Sequence, residues 1–259
     1  MEGSWLILAA GGLFAGVLAG ILGIGGGFII VSLLDVLGFP FTQAIATSSF
    51  VIIMSSSAGS FYNWRMGYLN LRRLAYIGIP AAIFGILGAY TTGEIPEYIL
   101  MTIFATFMLI NIGLIRLKKS LAAKPKSSTD RALNPLLARV FTGGIAGFLA
   151  GLLGIGGGAI MVPLQMLLLN EDIKVAVRTS LGVIVIATIS SCVIHISRGN
   201  VLFVPGLILG ISGMLGSQLG TRMLPKLPNS LVSKIFIAFL GIMALINYRG
   251  AWMSYQGIV

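Results

Sequence analysis

Two glycine clusters, Gly25, Gly26 and Gly27 and then Gly156, Gly157 and Gly158, stand inside long apolar runs. The first reads "GILGIGGGFII" at 20–30 and the second "GLLGIGGGAIM" at 151–161. Glycine costs a helix roughly 1 kcal/mol per residue relative to alanine, so the same break made twice asks for a reason. A helix that starts just after such a break offers several unbonded N–H groups and the positive end of its dipole. Without side chains in the way, an anion can reach those groups directly. The chemistry on offer is recognition of a small anion by backbone amides from two sides.

Other residues could join that chemistry. Thr47, Ser48 and Ser49, with Thr179 and Ser180 in the second half, open two apolar segments. Their hydroxyls either donate to an oxyanion or cap their helices and bond back to the backbone. Arg178, beside Thr179, either supplies the one positive charge facing a ligand or is an ordinary loop arginine. Asn63 and His195 occupy matching places in the two halves. His195, the sole histidine, is a proton relay or gate, or a satisfied polar residue near an interface. Gln43 and Gln165 are polar without a motif. Gly12, Gly16 and Gly20, with Gly143, Gly147 and Gly151, fit instead the spacing of closely packed helices.

Several classes fall away. Phe28 and Ala159 stand where a dinucleotide fingerprint needs its last glycine, and no lysine follows to make a phosphate loop. One cysteine, Cys192, and one histidine make a poor metal-ligand set, so no metal and no cofactor is expected. Each Asp and Glu lies in or beside a loop, which argues against an enzyme working at membrane depth.

The elements that must carry these residues follow from composition. Of 259 residues 57% are hydrophobic and only 9% charged, too few charges to cover a water-soluble domain. Apolar segments of bilayer-crossing length recur, which predicts an all-α polytopic membrane protein. The net charge of +10 sits mainly between those segments and reads as topology, not nucleic-acid binding. "AGVLAGILGIGGG" from residue 15 and "AGFLAGLLGIGGG" from residue 146 differ at two positions. Farther on, Gly67 meets Gly199, Gly88 meets Gly220 and Pro96 meets Pro228, so a five-segment unit is duplicated. The predicted organisation is a first transmembrane repeat over 1–115, a basic cytoplasmic linker over 116–139 and a second repeat over 140–259.

Charge then sets orientation. With the linker cytoplasmic and the first two segments of each half crossing an even number of times, 15 of the 17 Lys and Arg residues lie inside. Only Arg198 and Arg249 fall outside. A parallel arrangement leaves five cations outside, so the positive-inside rule favours two inverted repeats with both termini outside. The stretches after the glycines, 28–37 and 159–169, give about 15–16 Å of helix, half the hydrocarbon thickness. Each half is therefore expected to hold a glycine-broken helical pair followed by three spanning helices. The broken pair either re-enters or crosses twice. Glycine-faced helices also leave a homodimer open.

"GILGIGGGFIIVSLL" and "GLLGIGGGAIMVPLQ", each followed by a Thr-Ser segment, and "HISRGNV" at 195–201 together resemble the TauE/SafE sulfite exporter family over essentially the whole chain. The resemblance implies transport of small sulfur-containing anions, such as sulfite or organosulfonates, across the cytoplasmic membrane, driven by a proton or sodium gradient. By position it implies substrate contact at both glycine triplets and at the Thr47/Ser48 and Thr179/Ser180 pairs. His195 matches a histidine common after the third segment of each repeat. Asn63 departs from that pattern, and Ser32 replaces the proline found at Pro163. The expectation is a secondary active exporter of sulfite working by alternating access between lipid-embedded halves. The alternatives are a passive anion channel, or a carrier of an organosulfonate or other small oxyanion or carboxylate.

Overall fold

Hydrocarbon offers no partner to a free N–H or C=O, so long apolar segments satisfy their backbones internally as helices. The computed structural model describes residues 2–122 and 134–255. The helices are α1 (Glu2–Leu22), α2 (Gly27–Val36), α3 (Phe41–Arg65), α4 (Leu71–Thr91), α5 (Glu97–Ala122), α6 (Pro135–Leu153), α7 (Gly158–Leu168), α8 (Ile173–Ser197), α9 (Phe203–Met223) and α10 (Asn229–Tyr255). No strand occurs among the described residues. Among the described residues seven of these helices are long and apolar enough to cross a bilayer, α1 and α6 among them, whereas α2 and α7 are about half that length. Of the 116–139 linker, residues 123–133 lie outside the described ones, and its two flanks continue α5 and α6 as helix.

The distribution of polarity is the reverse of a soluble protein's. Leu6, Ile79, Leu215 and Leu245 are exposed, while Ser48, Ser56, Thr188, Asn63 and His195 are buried. Lipid rewards that arrangement and water does not. The chain is an all-helical integral membrane protein.

Helix α1 lies parallel to α9, and α6 lies parallel to α4. Gly12, Gly16 and Gly20 of α1 face Leu209, Gly213 and Ser217 of α9; Gly143, Gly147 and Gly151 of α6 face Ile77, Ala81 and Gly85 of α4. A Cβ added at Gly20 would stand 2.5 Å from the Ser217 carbonyl oxygen, and one at Gly147 would overlap that of Ala81. These six glycines do the backbone-to-backbone packing their spacing predicts. Helix α8 runs alongside α4, with Ile186 against Gly78 and Ser190 Oγ donating to the Ala82 carbonyl at 3.1 Å. Phe28, the first side chain after the glycine triplet, packs tilted against Phe104 of α5 and edge-to-face against Phe239 of α10, at ring distances of 4.8 and 6.0 Å.

One end of the bundle gathers the cations. There the Arg178 guanidinium lies 3.8 Å from the centre of the Tyr68 ring, and Arg73 Nε lies 3.2 Å from Glu171 Oε1. Lys174 Nζ donates to the Pro225 carbonyl at 3.1 Å, and Arg222 sits over Tyr62. The end of α3 is thus beside the start of α8, so these two helices are antiparallel. At the opposite end Arg198 reaches the Ala89 carbonyl and the Tyr90 ring.

Candidate functional site at the glycine junction

The chain leaves α1 at Leu22, turns through Gly23 to Gly26 and starts α2 at Gly27. Gly26 caps α2 with φ 83° and ψ −4°, and Gly157 caps α7 with φ 71° and ψ −7°. That left-handed conformation is costly for a residue with a Cβ, which accounts for the second glycine of each triplet. Gly27 and Gly158 have no such torsion and are glycine for a different reason. A Cβ at Gly27 would stand 2.6 Å from the Gly154 carbonyl oxygen and 2.7 Å from Ile155 Cα; at Gly158 it would overlap the Gly23 carbonyl oxygen. The two turns therefore pack back to back.

Their meeting point is at mid-depth. Positions for a Cβ on Gly25 lie 3.0 Å from Ile52 Cγ2 and 3.3 Å from Ile184 Cγ2, and Gly156 shows the same two neighbours with the distances exchanged. Ile52 and Ile184 are each the twelfth residue of a 25-residue helix. The turns are clamped between the middles of α3 and α8. The Gly23 turn lies beside Val177 and Ser180 and the Gly154 turn beside Ile45, so neither turn reaches the end of the bundle. Each short helix then climbs back about 15 Å to the end where the next long helix begins.

Buried amides normally find acceptors. Those of Gly23 and Gly154 donate to the carbonyls of Ala19 and Ala150. Among the described residues no acceptor meets the amides of Gly25, Gly26 and Gly27 or of Gly156, Gly157 and Gly158. Both helix starts thus hold donors at mid-depth with nothing in the protein to receive them.

The hydroxyls are arranged otherwise. Ser48 Oγ donates to the Gly154 carbonyl at 2.7 Å, and Ser180 Oγ to the Gly23 carbonyl at 2.8 Å. Each serine reaches the turn of the opposite half and spends its proton on the backbone instead of leaving it for a ligand. Ser49 bonds back to Ile45. Thr47 Oγ1 accepts the Leu202 amide at 3.0 Å where α9 begins, and Thr179 is buried beside Ser180. Arg178 is held over Tyr68 of the α3–α4 loop. His195 Nε2 lies 3.3 Å from the Gly151 carbonyl oxygen, at the end of α6, while Asn63 Nδ2 is buried without a partner. Gln165 Nε2 donates to the Ala176 carbonyl at 3.4 Å.

Sequence reasoning missed Ile52 and Ile184, which close the junction, and Ser55, whose Oγ donates to the Gly25 carbonyl at 3.2 Å. The hydroxyl-rich run "SSSAGS" at 55–60, in the middle of an apolar segment, was the available signal. The isoleucines carry none, because their role depends on what packs against them.

A profile of the sulfite exporter TauE/SafE family matches residues 8–246, taking in both glycine turns and all ten helices in whole or part. The chain belongs to this family. Among its relatives is a probable membrane transporter protein of Methanocaldococcus jannaschii, 28% identical over 250 residues, covering 90% of this chain and 91% of the relative. The probable membrane transporter protein YunE of Bacillus subtilis is 28% identical over 281 residues, covering 98% and 99%. A second Bacillus subtilis protein, probable membrane transporter YdhB, is 27% identical over 236 residues, covering 89% and 96%. This TauE/SafE chain is a membrane transporter and not an enzyme.

Proposed function

We propose that this transporter carries a small sulfur-containing anion, sulfite foremost, out of the cytoplasm as a secondary active carrier. The observation that supports this reading is the pair of glycine turns meeting at mid-depth with six amides lacking acceptors. Donors aimed from two helix starts suit a compact oxyanion, and a site without a lysine or arginine against it binds weakly enough to release. The halves are taken as inverted repeats. Supporting this are the exchanged pairings of α1 with α9 and α6 with α4, and the antiparallel course of α3 and α8.

In the closed junction Ile52 and Ile184 fill the space beside the turns. Binding therefore requires the two turns to separate, breaking the reciprocal Ser48 and Ser180 bonds. Rocking of one half against the other does this, and it opens the site to one side at a time. The two turns pack with no room for a Cβ between them at Gly27 and Gly158, which favours a carrier over a passive channel.

Proteoliposomes loaded with labelled sulfite test the reading. Saturable flux with counterflow exchange, competed by sulfite more strongly than by sulfate or taurine, is the expected result. Absence of saturable flux for every sulfur anion tried would end it.

A further inference from the structure

Five polar side chains with shielded polar atoms, four of the residues buried and Ser60 half-buried, gather in one place outside the glycine junction. On α3, Ser56, Ser60 and Asn63 form a stripe at helical spacing, starting where Ser56 Oγ lies 3.4 Å from the position of a Gly25 Cβ. On α9, Ser217 and Thr221 face that stripe: a Cβ on Gly59 would stand 2.7 Å from Ser217 Oγ and 3.1 Å from Thr221 Oγ1. Gly20 of α1 closes the third side, against Thr221 and Ser217. Ser56 Oγ, Ser60 Oγ, Asn63 Nδ2, Ser217 Oγ and Thr221 Oγ1 are all sealed from solvent and without hydrogen-bond partners.

Membrane serines and threonines ordinarily bond back to the preceding turn of their own helix, and others here do. Ser49, Thr142, Thr188 and Ser212 donate to carbonyls four residues earlier at 2.6–3.1 Å. Ser56, Ser60, Ser217 and Thr221 do not. Unpaired polar atoms in an apolar interior are costly, so a polar occupant belongs among them.

The equivalent junction of the other half, between α8, α4 and the end of α6, is sealed. Thr92 Oγ1 donates to the α6 carbonyls, 3.0 Å from that of Leu152 and 3.2 Å from that of Gly151, and His195 Nε2 caps Gly151 as well. Thr188 and Ser191 bond within α8. The position matching Ser60 is Cys192, which is buried.

We infer that Ser56, Ser60, Asn63, Ser217 and Thr221 line a hydrated half-pathway that joins the glycine junction to the cation-rich end of the bundle. Its neutral donors pass water and a small oxyanion along α3 and α9 while the opposite junction stays shut. Only the identity of the traveller rests on the anion reading above; the wet route does not.

The test is thiol accessibility in membrane vesicles of either orientation, using the small anionic reagent sulfonatoethyl methanethiosulfonate. The native chain reports on Cys192 alone, and Ser60→Cys and Ser217→Cys are made separately with Cys192→Ala. Both are near-isosteric changes, and thermal melting of each checks the fold. The expected result is labelling of both new cysteines at least about tenfold faster than Cys192, as thiolate reactivity follows water access, and only from the cation-rich side. Equal slow labelling of all three, or equal labelling from both sides, overturns the inference. Fast labelling without sulfite flux would keep the wet route and remove the anion reading; flux without labelling would do the reverse.

Discussion

At the scale of single residues, two different demands put glycine in the triplets, and substitutions separate them. Gly26 combines φ 83° with a Cβ position 2.9 Å from the Ala15 carbonyl oxygen, whereas Gly38 has φ 84° and open space around it. Gly38→Ala meets only the left-handed penalty of about 1–2 kcal/mol. Gly26→Ala meets that penalty and a backbone collision. Thermal unfolding of the purified protein is expected to place Gly26→Ala clearly below Gly38→Ala. Equal losses would mean the turn yields and its geometry is not enforced by the packing around it. The serines make a related point: hydroxyls that sequence places beside an anion site are here the bonds that hold the two turns together.

Among helices, what decides the fold is how closely backbones approach. Gly16 of α1 sits on the backbone of Gly213, with the α1–α9 contact leaving no room for a methyl group. Gly113 of α5 has nothing within reach of a Cβ. Alanine favours helix over glycine by roughly 1 kcal/mol, so Gly113→Ala is expected to stabilise the protein slightly. Gly16→Ala forces two helices apart and is expected to destabilise by about 1–3 kcal/mol. The opposite signs, read as shifts in melting temperature in detergent, check that the stripe is a packing face.

For the molecule as a whole, the cations settle into one end through specific partners: Arg178 on Tyr68, Arg73 on Glu171, Lys174 on the Pro225 carbonyl and Arg222 on Tyr62. By the positive-inside rule that end is expected to face the cytoplasm. A protease site placed within 123–133 is then expected to be cut only from the cytoplasmic side, and alkaline phosphatase fused after Val259 to be active outside. The reverse pattern would invert the assigned direction of the hydrated half-pathway without altering the fold.

The sequence by itself determined the solvent, the helical class and the family. Those depend on composition, on apolar segment length and on a motif written twice, all local properties of the chain. It also separated packing glycines from turn glycines, because the spacing of Gly12, Gly16 and Gly20 differs from an unbroken triplet. What only the tertiary structure decided is which polar groups are occupied. Ser48 and Ser180 answer carbonyls from the opposite half, more than a hundred residues away, whereas Ser217 and Thr221, unremarkable in sequence, are left unpaired. A hydroxyl's partner is fixed by helices that meet in space, and no local pattern records that meeting.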